Sequence, residues 1–183
     1  MVGAETGWPN LLAASEAATE ASTLDTLALS LLFGQCRSDH AVFAASGVPT
    51  VFFTDANPPC YHSVGDDLSI VDFDKLDQQI LTAQALTDEL VATDDVPVFD
   101  SDTPAASFED AVSMQGIVSQ AEPDFARFSP EDEAAAAQFL DDLDAMVAAG
   151  AGAFDDAAVS TLLEGSVTLV GALATGECEG FLD

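Results

Sequence analysis

The chain contains only two histidines, and one of them stands in Pro59-Cys60-Tyr61-His62-Ser63-Val64-Gly65-Asp66-Asp67, a run crowded with polar and turn-forming groups. Imidazole is the commonest protein ligand for metals, so His62 raises the question of a metal site. One histidine does not make one: zinc takes three protein ligands in catalytic sites and four in structural ones. Cysteine does not supply the rest. Cys36, Cys60 and Cys178 form no C-x-x-C pair and are odd in number, which argues against a zinc-thiolate site and allows at most one disulfide.

The rest of the composition limits what such a site can serve. There are 33 acidic and 3 basic residues, for a net charge of -30, and the cations are Arg37, Lys75 and Arg127. Without a basic surface, nucleic acid and anionic membranes are excluded as partners on electrostatic grounds. Yet 49% of the residues are hydrophobic, enough for a packed core. That pairing of apolar content with extreme acidity suits a folded protein in salt-rich surroundings, where the Debye length falls from ~10 Å at 0.1 M to ~3 Å at 1 M. No run of 18 apolar residues marks a membrane span, and no basic stretch followed by an apolar one marks a signal peptide.

Stepping along the chain, strand-like and helix-like runs alternate through the first half. Asn10–Ser22 reads as a helix, Leu24–Phe33 as a buried strand, Asp39–Ser46 as a short helix and Val48–Asp55 as a second buried strand. After the His62 loop, Asp72 is placed to cap a helix with Leu76, Ile80, Ala83, Leu86 and Leu90 on its apolar face. The expected class is therefore α/β, a partial and mostly parallel sheet with flanking helices. Ligand sites of such sheets gather beyond the carboxyl ends of the strands, where the His62 loop falls. Cys36 and Cys60 would both lie in loops at those ends and are the favoured disulfide pair, worth about 3 kcal/mol by loop closure, with Cys178 unpaired.

The second half changes character. Residues 94–106 read as an acidic linker, and 107–183 as an all-α extension of three helices: about Phe108 to Ala121, one opened by Ser129 and Pro130, and about Asp155 to Thr175. In the middle helix Phe139, Leu140, Leu143, Met146 and Val147 share a face, and Gly150 and Gly176 are plausible stops. Residues 94–183 carry 20 of the acidic residues and one cation, a distribution that suits a solvated face.

Residues 1–93 carry a further signal. Ser38-Asp39-His40, Phe43 and Gly47-Val48-Pro49, followed by Tyr61-His62-Ser63 and Asp66, resemble in order and spacing the C-terminal part of the co-catalytic zinc aminopeptidases, relatives of bacterial leucyl aminopeptidases and glutaminyl cyclases. The resemblance implies an α/β sandwich with two zinc ions and hydrolysis of N-terminal residues from a peptide substrate. In that setting one metal polarises the scissile carbonyl and a bridging water becomes nucleophilic near neutral pH. By position, His62 is implied as the last zinc ligand and Tyr61 as the phenol donating to the oxyanion. Phe53 is implied as a wall of the specificity pocket, Arg37 lies in a turn that seats substrate, and Asp39 is implied to support the ligands from behind. Plainer roles stand beside these: Phe52 and Phe53 suit a core, Asp39 a helix cap, Asp66 and Asp67 loop amides, and His40 a structural position.

The other ligands of the resembled family, an upstream His, an Asp, a Glu-Glu pair and a further Asp, have no counterpart here. The opening Met-Val-Gly-Ala resembles a strand whose preceding Asp ligates zinc, which suggests a C-terminal portion lacking the earlier half. The expectation is a metallo-exopeptidase portion, inactive as this chain alone, whose complete relatives are extracellular or periplasmic. Two readings from other classes remain: a non-catalytic scaffold that kept the half-fold, and an acidic helical interaction module carried by 105–183.

Overall fold

The computed structural model describes residues 1–35, 38–54 and 60–175, with side chains to 173. Among the described residues the α-helices are, in order, α1 Asn10–Thr19, α2 His40–Ala45, α3 Phe73–Ala92, α4 Phe108–Ala121, α5 Pro130–Ala149 and α6 Asp156–Thr175. They fall into two compact units. The first comprises Met1–Thr54 with Asp72–Ala106, and the second Asp55–Val71 with Ser107–Asp183.

The α/β expectation is overturned: among the described residues there is no strand, and the chain is predominantly helical. Among the described residues, each stretch read as a strand makes only a single isolated bridge to Val2, parallel from Leu29 and antiparallel from Phe52. The bridges are well formed. Gly3 N donates to Leu29 O at 3.0 Å and Leu29 N to Met1 O at 2.9 Å, while Val2 and Phe52 exchange bonds of 2.9 and 2.8 Å. The physical reason is the shortness of the shared partner. Gly3 takes φ 93, and a 3₁₀ turn over Ala4–Gly7 begins at once, so no second residue is extended to continue a ladder. A further 3₁₀ turn at Leu31–Gly34 ends the other side.

What holds the first unit is therefore helix packing. α1 packs on α3, and Leu11, Ala18 and Leu86 are buried with Ala14, Val51, Ala85 and Leu90 against them. Of the face expected for α3, Leu86 and Leu90 join this cluster and the earlier positions do not. Leu86 and Thr82 are buried, whereas Leu76 and Ile80 are exposed, because α1 covers only the stripe running through 82 and 86. Polar contacts fix the register: Thr82 Oγ1 donates to Ser22 Oγ at 2.9 Å, and Thr23 N donates to Gln78 Oε1 at 2.9 Å. Asp72 caps α3 as its sequence implies, its Oδ1 accepting from Lys75 N at 2.9 Å.

In the second unit α5 packs against both α4 and α6. The helices are bounded by local chemistry. Ser107 N donates to Asp110 Oδ2 at 2.6 Å in a capping box, Ser129 Oγ accepts from Asp132 N at 3.2 Å, and Asp155 Oδ1 accepts from the Ala157 and Ala158 amides. Gly150 ends α5 at φ 80. The core is Ala111, Met114, Val118, Ala136, Phe139, Leu143, Leu162, Leu169 and Ala172, all buried.

Candidate functional site

The Tyr61–His62 turn begins at Cys60, which is 1% exposed and disulfide-bonded. Its partner is outside the described residues, as are Cys36 and Cys178, so the expected pairing falls there too. Ser63 N and Ser63 Oγ both donate to Cys60 O, at 3.0 and 2.7 Å, and Ser63 Oγ accepts from Gly65 N at 3.1 Å. Asp66 N donates to Ser63 O at 3.2 Å. Further along, Asp67 Oδ1 accepts from Ser69 N at 2.8 Å, and its hydrogen bonds with Ser69 hold its carboxyl below the usual carboxylate range. Short hydroxyl and carboxylate side chains thus wind this loop, which is what they do in place of regular structure.

On that frame Tyr61 and His62 project into solvent. Their rings stack with centroids 3.9 Å apart and planes 19° from parallel, and Tyr61 is 44% exposed. His62 takes φ 62, a left-handed conformation that L-residues other than glycine adopt rarely. Such backbone outliers collect at sites where function constrains geometry.

Phe53 and Asp39 are in the first unit, and Arg37 is outside the described residues. Phe53 follows the Phe52 bridge and is 37% exposed. Asp39 is at the N-terminal boundary of α2, where its side chain makes no capping bond while its carbonyl accepts from Val42 and Phe43 amides. Two clefts, of about 260 Å³ around Ala145, Met146 and Phe154 and about 270 Å³ around Ala14, Glu89 and Leu90, are lined by none of these residues.

Two further residues matter and were given no site role from sequence. Ser63 closes the turn that carries His62; its spacing to Gly65 is the usual one for a hydroxyl turn and was the available signal. His40, read as structural, is 7% exposed, stacks on Phe52 at 4.5 Å, and has no hydrogen-bond partner at either ring nitrogen.

The features together are those of a helical protein with an exposed, covalently anchored Tyr-His turn. Residues 6–87 match the family model of Peptidase family M28, a match that supports a relationship of this segment to that metallopeptidase family. No curated protein and no solved structure matches the chain. Peptidases of family M28 are in general zinc-dependent. Among the described residues, however, no group of three or more His, Cys, Asp or Glu side chains converges to hold a metal ion. The donor set present does not fit a zinc pair.

Proposed function

We propose that this chain contributes the Tyr61–His62 turn to a metallo-exopeptidase that removes N-terminal residues from peptides, and that the chain by itself is inactive. The observation that carries the reading is the family M28 match over residues 6–87, which spans this turn. One feature of the turn supports it: both side chains are exposed and so open to a metal and a substrate. His62 is the residue offered to a metal, and the other ligands come from outside this chain. The Tyr61 hydroxyl is the donor offered to the oxyanion formed at the scissile carbonyl.

The experiment is complementation. The purified chain alone is expected to bind less than one equivalent of zinc and to leave an aminoacyl reporter uncleaved. Supplying in trans a segment bearing the earlier family ligands should bring both metal and turnover. In that assembly His62→Ala should lose metal, whereas Tyr61→Phe should keep it and lose on the order of 10² to 10³ in turnover, the usual cost of removing an oxyanion donor. Turnover indifferent to both substitutions, or stoichiometric zinc and turnover in the chain alone, would overturn this assignment.

A further inference from the structure

α3 buries one face against α1 and leaves the opposite face open. Thr82 and Leu86 are on the buried side, and Lys75, two turns before Thr82, stands on that side too. On the far side Phe73, Leu76, Ile80, Gln84, Thr87 and Val91 follow one another at intervals of three and four, which sets them in one row along the helix. All six are exposed, and Phe73, Ile80 and Val91 are more than half so, at 57%, 52% and 80%. The Thr87 hydroxyl is turned back to donate to Ala83 O at 2.8 Å, which leaves Gln84 as the polar interruption of the row. Single exposed apolar side chains are ordinary on a protein surface, whereas a continuous row marks a contact surface.

The two borders of the row differ in charge. Along one, Asp74, Asp77 and Asp88 stand exposed with Leu81 among them; along the other are Gln79, Ala83 and Leu90, which carry none. We propose that the row is a docking surface for a helix of a partner protein, one with an apolar seam and lysine or arginine along one edge of that seam. The inference is independent of the metallopeptidase reading. Spacing defines the shape of the occupant, because side chains at intervals of three and four are received by a second helix, while a strand with its period of two has no matching row. Phe73 to Val91 spans about 27 Å at 1.5 Å per residue, so the partner helix needs about five turns. Charge defines its chemistry, since the acidic border is complemented by a cationic one. A second copy of this chain brings no such border in either orientation. Antiparallel, the acidic border meets itself; parallel, it meets the uncharged one, and each copy carries a net charge of -30.

The probe is a synthetic leucine and lysine peptide of about five turns, with its leucines on one helical face. A peptide of the same composition in shuffled order, and one with glutamate in place of lysine, serve as controls. Binding to the full-length protein is followed by calorimetry at ~0.15 M and ~1 M salt, where the Debye length is ~8 and ~3 Å. The leucine and lysine helix should bind at a single site and more tightly than either control, and its binding should weaken but persist at the higher salt. Phe73→Gln and Ile80→Gln should each weaken it by about tenfold or more. Both side chains are exposed, so far-UV ellipticity should not change. Asp77→Asn combined with Asp88→Asn should weaken binding at the lower salt only. Absence of binding overturns the surface. So does a shuffled peptide that binds as tightly, or indifference to both glutamine substitutions, because net charge alone would then be attracting the peptide. Sedimentation of the free protein tests the choice of occupant: a dimer dispersed by Ile80→Gln overturns it in favour of a second copy. Amide spectra of the isotope-labelled chain complete the test. Ile80→Gln should shift signals of the first unit, and shifts through α4, α5 and α6 would overturn the proposal by showing that the chain covers the row itself.

Discussion

His40 shows how a single residue can be worse placed than its sequence suggests. Its ring is buried against Phe52 and over Gly34, where an added Cβ would come within 2.6 Å of Nε2, and neither nitrogen is bonded. A buried polar atom without a partner costs about 1 to 3 kcal/mol, while the aromatic stack returns about 0.5 to 1.5 kcal/mol. His40→Leu is therefore expected to be neutral or to stabilise by about 1 kcal/mol, seen as an unchanged or higher melting temperature. A clear drop would mean that the imidazole has a partner in solution. Asp67 is simpler. Its lowered pKa means that the tie to Ser69 is fully present above the ordinary aspartate range and is lost as pH falls through the lowered value. In a titration of the labelled protein, the Ser69 amide should accordingly shift only at strongly acidic pH, and Asp67→Asn should flatten that step.

α6 carries two glycines with opposite expectations, which makes it the sharpest test of packing between elements. Gly165 lies against the ring of Phe139 on α5, so closely that an added Cβ would overlap ring carbons, and that ring is itself buried. Overpacking of this kind costs typically about 1 to 3 kcal/mol, more than the ~1 kcal/mol that alanine gains over glycine in a helix. Gly171 meets nothing within 4 Å. Gly165→Ala should thus lower the urea midpoint and Gly171→Ala should raise it, the second by roughly 0.5 to 1 kcal/mol. If both stabilise, the α5–α6 contact is not as close as described.

At the scale of the molecule, charge dominates. With 33 acidic and 3 basic residues the folded chain repels itself, and among the described residues the ion pair of Arg127 with Asp124, at 3.8 Å, is exposed and screened. Stability should therefore rise between ~0.1 M and ~1 M salt, as the Debye length shrinks from ~10 to ~3 Å. Melting temperatures followed across that range check it; a flat or falling profile would show that repulsion is not what limits the fold.

Much of the helical half was legible because helix boundaries are written locally. Ser129 with Pro130, Asp72 and Gly150 each act within one turn of themselves, and the structure places α5 and the start of α3 where those residues put them. The Tyr61–His62 turn was legible through its resemblance to a family, and Ser63 was available to be read from its spacing. The sheet was not so decided. Val48–Asp55 has the β-branched and aromatic content of a strand and Leu24–Phe33 the apolar run of a buried one, but a strand exists only when a partner offers successive paired residues, and Val2 offers one before Gly3 turns away. The same holds for α3, whose sequence carries apolar residues on more than one stripe; only the arrival of α1 determined that Leu86 is buried and Ile80 is not. By itself, then, the sequence determined the helix ends and the acidity, because those depend on near neighbours or on counting. Tertiary structure alone decided strand pairing, the buried face of α3 and the unsatisfied ring of His40, because each depends on which distant group supplies a hydrogen bond or excludes water.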